Sequence, residues 1–394
     1  MTNKTDELIK RKITDEDVIA GEALNWDIFS SGGSLLLSKG HVIKSDSQIT
    51  QLIARGACYY CSPEEVTATK KTSRDPNEPA VSFLIINTLL DHLKNAFAIL
   101  HEENDPTFIN RIMRIALDIQ YACDENTDAM VGSIQLNQEA PNFLAHPLHN
   151  AILCEAACRR QGKGPLDRLP ILVAALTQNI GMLSIQEQVF HQEEALSEEQ
   201  QTIIDEHPQT GHDLLVSHGV TEKRWLTAVR QHHERIDGSG YPAGISGADL
   251  SEDAKLLAIT DNYTALIRPR AYRSRILHKD ALRQMLQQRG SSIDGDLVTL
   301  LINAIGIYSP GSLIVLTSGE TGIVTRLTKK LDEPQIRLIS DARGHASEIG
   351  EETPTGGDTG LTIKNMLCAK ENQHLLKGLR TVWPMQHPLA RDEM

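Results

Sequence analysis

From Ala80 to about Ile305 the apolar residues recur at intervals of three and four, as in Leu89, Leu93, Ala96, Phe97 and Leu100, and again in Ile109, Ile112, Met113, Ala116 and Ile119. That period lines one face of an α-helix, so residues 80–305 are expected to form a helical bundle. After Gly306 the pattern changes. Ser312 to Thr317, Gly322 to Leu327 and Gln335 to Ile339 are β-branched or alternating runs separated by turns such as Ser318-Gly319, which predicts a small β-rich module over 306–394 with a polar, mobile tail. Toward the N-terminus, the turns Ser30-Ser31-Gly32-Gly33 and Lys39-Gly40 set off strand-like Ser34 to Leu37 and His41 to Ile43, with an amphipathic segment at Ile49 to Ala54. Residues 1–65 therefore read as a small α/β module. Residues 66–79 are rich in Thr, Lys, Pro and charge without an apolar period, as a linker would be. The expected class is mainly α, a helical bundle flanked by two small modules.

The 394 residues carry 39 Lys and Arg against 52 Asp and Glu, a formal charge of −13. This balance opposes broad attraction to nucleic-acid backbones or anionic membranes, although a few local arginines can still hold a small anion. The most apolar candidate for a membrane span, Val81 to Leu100, is broken by Asp91, His92 and Lys94, and Met1 to Lys12 lacks the apolar core of a signal peptide. The expectation is a cytoplasmic protein that binds neither DNA, RNA nor membrane. Six cysteines are too few for a disulfide framework. Cys58 and Cys61 form a lone CxxC without the second pair a zinc site needs, and are expected to be small packing residues.

Fifteen histidines are informative only through their spacing. The densest pattern is Gln231-His232-His233-Glu234-Arg235-Ile236-Asp237-Gly238-Ser239-Gly240-Tyr241-Pro242. Adjacent side chains diverge by about 100° within a regular helix, so His232 and His233 can reach one site only where a helix ends, and the glycine-rich stretch supplies that end.

This block resembles the signature of HD-GYP proteins, bacterial metal-dependent phosphodiesterases that open cyclic di-GMP. The likeness covers roughly residues 140–280. Glu206-His207-Pro208-Gln209-Thr210-Gly211 resembles the family's HP..G element, whose His is a metal ligand. Ile259-Thr260-Asp261-Asn262-Tyr263-Thr264-Ala265-Leu266 resembles its late helix, whose first Asp is another, and Arg270-Ala271-Tyr272-Arg273 resembles the basic element that meets substrate phosphate. His149 stands where the first helix of such domains supplies a His. The resemblance thus implies metal ligands at His149, His207, His232, His233 and Asp261, and substrate contacts at Tyr241, which could pack on a base, Arg270 and Arg273.

The chain departs from the family at the element that gives half its name. Where members read like AALLHDIGK, this sequence has Ala174-Ala175-Leu176-Thr177-Gln178-Asn179-Ile180-Gly181-Met182. Gln178 replaces an imidazole with an amide, Asn179 an anionic bridge with a neutral one, and Met182 a lysine. A neutral amide is a weak ligand and cannot hold two divalent cations close together. Ala145 stands where some members place a Glu for a third metal, Thr264 where many have a second Asp, and His146 reads as an exposed helix residue.

No catalytic residue is assigned on this reading. One divalent transition metal (Fe, Mn or Zn) on His207, His232 and His233 is expected, or none. The leading expectation is a signalling protein that binds cyclic di-GMP or a related cyclic dinucleotide, or a protein partner, with impaired catalysis. The alternatives are an active phosphodiesterase with a reduced metal site, and a protein-interaction scaffold. The sequence sets no oligomeric state.

Overall fold

Among the described residues, the three-and-four apolar period becomes ten α-helices in the computed structural model: α1 (Val81–Ala98), α2 (Thr107–Leu136), α3 (Asn142–Arg160), α4 (Pro165–Thr177), α5 (Leu183–His191), α6 (Glu198–Ser217), α7 (Lys223–Gln231), α8 (Glu252–Ile267), α9 (His278–Gln287) and α10 (Gly295–Ile305). The structure describes residues 9–13, 24, 26–30, 33–43, 52, 57–61, 81–101, 107–136, 140–268, 276–357, 359–376, 379, 382–383 and 385. They fall into two units, residues 1–78 and 79–393.

In the larger unit α3 is the central element, packed by α2, α4, α8 and α10. Its small residues Ala145, Ala151, Cys154, Ala157 and Cys158 are all fully buried, which lets neighbouring helices approach closely. Because α3 is enclosed over almost its whole length, its polar residues are buried too, and Glu155 is neutralised there by Arg168 at 3.0 Å. Helix starts follow their capping residues. Ser197 and Gln200 form a reciprocal capping box at α6, Ser251 accepts from Ala254 N at α8, and Asp294 accepts from Asp296 N and Leu297 N at α10. α2 is interrupted at Asn126, whose extended backbone and Oδ1 bond from Ala129 N (3.0 Å) start its second half afresh.

After α10 the chain forms an antiparallel sheet, β5 (Leu313–Leu316), β6 (Thr321–Arg326), β7 (Gln335–Leu338), β8 (Thr353–Pro354) and β9 (Ile363–Leu367), in the order β8-β7-β6-β5-β9. Strands β1 (Ile9–Lys12), β2 (Ile28–Phe29), β3 (Leu35–Leu37) and β4 (Cys58–Cys61) lie in the smaller unit. Leu313, Ile323 and Ile339 join the helical core, while Ile314, Leu316, Val324, Ile336 and Met366 build a second one. The expected polar, mobile tail is corrected over its described part: Leu375, Leu379, Val382, Trp383 and Met385 are buried in the helical core. Trp383 donates Nε1–H to Thr325 O at 2.8 Å and lies where a side chain on Gly132 would come within 2.4 Å of its ring. The apolar residues of the tail are too widely spaced to register as an element, but each finds a place in an existing core.

The smaller unit is a sheet of β1 (Ile9–Lys12), β2 (Ile28–Phe29), β3 (Leu35–Leu37) and β4 (Cys58–Cys61) in the order β1-β4-β2-β3. Ile13, Leu24, Ile28, Ile43, Ala57 and Tyr59 form its core, with Trp26 stacked on Tyr59 at 4.4 Å. The expected strand at 41–43 is reduced to a single bridge residue, Val42. β1 was not signalled by its sequence, Ile-Lys-Arg-Lys; it exists by pairing with β4, Lys12 opposite Cys58. The CxxC is this strand, with Cys58 buried. Residues 66–79, and 49–54 apart from Leu52, lie outside the described residues. Among those described, one helical stretch, residues 165–191, has the length and apolarity to cross a membrane, and 61% of its apolar 18-residue window is buried inside the protein, as expected of core helices.

Candidate metal and ligand site

Three elements bring His207, His232 and His233 together, their ligand atoms all within 4.8 Å of one another. His207 lies inside α6, immediately before Pro208. Proline has no N–H to give to the carbonyl four residues back, which is Ile204 O. That carbonyl instead accepts from His207 Nδ1 at 2.5 Å. His232 follows the last residue of α7, where helical carbonyls lack amide partners, and its Nδ1 donates to Val229 O at 2.7 Å. Both rings therefore carry their proton on Nδ1 and turn a lone pair outward on Nε2. These two Nε2 atoms face each other at 3.2 Å with no proton to share. Burial foremost, then the neighbouring His233, lowers His207 to about 3, and burial also lowers His232 and His233, so the rings stay neutral at physiological pH.

The loop after α7 is set by buried contacts. Both carboxylate oxygens of Glu234 accept backbone amides, from Ala243 at 2.7 Å and Ile245 at 3.0 Å. A Cβ on Gly240 would lie 2.5 Å from the backbone of His233, Glu234 and Arg235, so only glycine fits. The fold-back stacks Tyr241 on His233, ring centroids 4.7 Å apart at 22°. Tyr241 is held as a neutral phenol by burial and by the nearby Asp261 and Asp205. On the opposite side the turn at Ile180–Met182 meets α6 backbone to backbone: a Cβ on Gly181 would lie 2.3 Å from His207 O and 2.8 Å from Gly211 N. This contact seats Gln178 and Asn179 beside the histidines.

The second half of the site centres on Asp261 of α8. Its Oδ1 accepts from Gln178 Nε2 at 2.6 Å, His146 Nε2 at 2.7 Å and Asn150 Nδ2 at 3.3 Å. Burial would raise this carboxyl, but His146, then His233 and His232, hold it below the usual carboxylate range. Asn150 Oδ1 in turn accepts from Thr264 Oγ1 at 2.5 Å. His146 is thus corrected from exposed to buried: it and Asn150 are four apart on α3, so one helix face delivers both to Asp261. His149 is fully buried on the same helix and stands outside the cluster of converging histidine nitrogens.

Between these halves opens a cavity of about 540 Å³ lined by His146, Asn179, His207, His233, Tyr241 and Asp261, by Met182 and the apolar face of α5, and by Arg268. Arg268 and His146 are the polar groups the sequence reading missed. Arg268 sits seven residues after Asp261, two helical turns on, a spacing that could have flagged it. Arg270 and Arg273 lie outside the described residues.

The three-histidine set fits a transition metal. Neutral imidazoles with Nδ1 tied to backbone carbonyls are oriented as metal-binding histidines are, and an all-nitrogen set suits such an ion better than Mg²⁺ or Ca²⁺. Asn179 Oδ1 is buried without a hydrogen-bond partner among the described residues and its residue lines the same cavity, a fourth donor of weak kind.

Residues 131–297 match the family model of the HD domain, a metal-dependent family. A cyclic di-GMP phosphodiesterase of Pseudomonas aeruginosa is 28% identical over 172 residues, 43% of this chain and 41% of that protein. A 3'3'-cGAMP-specific phosphodiesterase of Vibrio cholerae is 25% identical over 162 residues, 40% of this chain and 30% of that protein. The match therefore spans less than half the length of these relatives. In fold, the HDG"Y"P protein Bd1817 from Bdellovibrio bacteriovorus superposes with a TM-score of 0.50 at 13% identity, covering 75% of this chain and 99% of that one. Residues 131–297 of this chain thus form an HD domain, and with its paired histidines, Gly-Tyr-Pro loop and HP..G helix gathered around one cavity that domain is similar to those of the HD-GYP proteins.

Proposed function

We propose that this chain is a cyclic-dinucleotide-binding signalling protein of the cytoplasm whose hydrolytic centre is disabled, and that it passes the bound state to a protein partner. The observation that carries this reading is the 2.6 Å bond from Gln178 Nε2 to Asp261 Oδ1. Where the family resemblance calls for a metal-ligating imidazole, an amide N–H now satisfies the carboxylate, doing with a dipole what a cation would do with charge. Asn179 contributes no negative charge to offset a second ion. One metal on His207, His232 and His233 would remain to polarise a phosphate oxygen, and Tyr241 would close over the ligand. The cyclic dinucleotide class is taken from the relatives, whose substrates include cyclic di-GMP and cGAMP.

The test combines metal content of the purified chain, calorimetric titration with cyclic di-GMP, and chromatography of the nucleotide after incubation with Mn²⁺ or Fe²⁺. The expected result is one equivalent of metal at most, saturable binding and no linear product. Steady accumulation of linear dinucleotide would overturn the reading. It would favour the second one, a one-metal phosphodiesterase, which the intact three-histidine cluster supports; His232→Ala would then abolish turnover.

A further inference from the structure

Another cleft lies at the far end of α3, where the helical domain meets the C-terminal sheet. Its volume of about 560 Å³ is that of a small-molecule site. Arg159 and Arg160 reach it from the last turn of α3, Asn303 from α10, and Leu327, Thr328 and Lys329 from the segment after β6. His146 and Asn150 stand near the other end of α3, so about 15–20 Å of helix separates the cleft from the histidine cavity.

No carboxylate lines this cleft, in a chain whose formal charge is −13. Its three cations are not equivalent. Arg159 is neutralised by Asp124, to which its Nη1 donates, and it stands 3.8 Å from Glu155. Arg160 and Lys329 are exposed, and neither has an ion-pair or hydrogen-bond partner among the described residues. The open carbonyls and dipole of a helix C-terminus ordinarily account for a basic residue there. Here the carbonyls of Ala157, Cys158 and Arg159 already accept the amides of Gln161 (3.1 Å), Lys163 (3.1 Å) and Gly162 (2.9 Å), so capping makes no use of the Arg160 side chain. Lys329 comes from a separate element that is itself tied down. Leu327 N donates to Asp128 Oδ2 at 3.4 Å, and Thr328 Oγ1 donates to Lys330 O and Glu333 O, both at 2.9 Å.

Two uncompensated positive charges are matched by a dianion. A phosphate monoester carries about −1.5 to −2 at neutral pH, with three acceptor oxygens, whereas a phosphodiester carries a single charge. Ala156, Ala304 and Leu327 make one side of the cleft apolar, which suits a compact carbon body attached to that phosphate. We propose that this cleft binds a small phosphate monoester, held by Arg160 and Lys329 at a site separate from the histidine cavity. The bound ester bridges α3 and the segment after β6, and so strengthens the docking of the sheet on the helices. The proposal does not depend on what the histidine cavity binds.

The experiment is calorimetric titration of the full chain with phenyl phosphate, inorganic phosphate and methyl phenyl phosphate, in EDTA so that no metal at the histidines draws phosphate there. Phenyl phosphate is expected to bind saturably at one site. Inorganic phosphate, which lacks the apolar body, should bind more weakly, and the diester, which brings one charge fewer, should be weaker than phenyl phosphate by about tenfold or more. Arg160→Gln combined with Lys329→Gln should also weaken phenyl phosphate by about tenfold or more, the cost of losing charge-assisted hydrogen bonds. Both side chains are exposed and unpaired, so the melting temperature of the ligand-free variant should match the wild type. The wild-type comparison of monoester with diester decides even where the variant fails to fold. Absence of saturable phenyl phosphate binding, equal affinity for the diester, or full affinity kept by the folded double variant overturns the proposal.

Discussion

The two halves of the cavity solve the same electrostatic problem in opposite ways. On the α6–α7 side, His207 Nε2 and His232 Nε2 turn lone pairs toward each other at 3.2 Å, with the neutral ring of His233 beside them. On the α3–α8 side, the carboxylate of Asp261 is already met by N–H donors from Gln178, His146 and Asn150. One half presents lone pairs that a cation would satisfy, and the other satisfies its carboxylate with N–H donors of the protein. This side of the site can thus keep its shape without an ion, because an amide dipole is enough to hold a buried carboxylate in place.

The sharpest break of this contrast is to return the self-satisfied half to a metal-binding one. In Gln178→His combined with Asn179→Asp, Asp261 gains a ligand for a partner and the pair gains a bridging charge. Metal content is expected to rise from one to two equivalents per chain, and linear dinucleotide to appear in the product analysis. Unchanged metal content would mean that the contrast lies elsewhere than in these two side chains.

Emptying the other half is the next largest change. His232→Ala deletes one of the two facing Nε2 atoms, and the affinity for Zn²⁺ or Mn²⁺ should fall by more than the ~100-fold that losing an outer-shell partner costs. Asp261, which is held by its own donors, should keep the fold of α3 and α8 intact, so the far-ultraviolet dichroism should match the wild type. An equal loss of metal affinity in His149→Ala would refute the assignment of the metal to the α6–α7 side.

Acid separates the halves more gently. His207 is lowered from 6.5 to about 3, and His232 and His233 are also lowered, with burial the leading cause. Below about pH 6.5 the unfolded chain takes up protons on these rings that the folded chain refuses, so stability falls as pH drops, by up to about 1.4 kcal/mol per pH unit for each histidine. Asp261, depressed below its ordinary value, adds its own loss only below about pH 4. Thermal melts of the metal-free chain between pH 7.5 and 5 should therefore show a falling Tm, at about 2–4 °C per kcal/mol. A flat Tm over that window would show that the rings are protonated in place.

What the sequence made legible follows the same division. His207, His232 and His233 could be read because each sits in a short pattern whose geometry is local: a proline after the first, a helix end at the other two, and glycines at 181 and 240 where no side chain fits. The Asp261 half is assembled over long separations, from residues 146, 150, 178 and 261. There a helix face seen alone does not tell buried from exposed, and His146, which reads as a surface residue, is buried. Arg268 carries no pattern of its own beside Arg270 and Arg273, which lie outside the described residues. The helical domain was legible for the strength of its period, whereas β1 exists through pairing and the buried tail through docking of Trp383 on Gly132, neither of which leaves a local signal.

The smallest expected effect tests why the histidine half is so well formed. Pro208 matters for the N–H it lacks: Ile204 O is left without its helical partner and takes the Nδ1–H of His207 instead. Pro208→Ala would return a backbone donor to that carbonyl. The helix would gain a hydrogen bond, and His207 would lose sole claim to the acceptor that fixes its tautomer and points Nε2 at His232. Stability should therefore hold or rise slightly, while metal affinity drops about tenfold, the lower range for loss of an outer-shell partner. The opposite signs are what make the measurement decisive, since a purely structural role for the proline would lower the melting temperature and the metal affinity together.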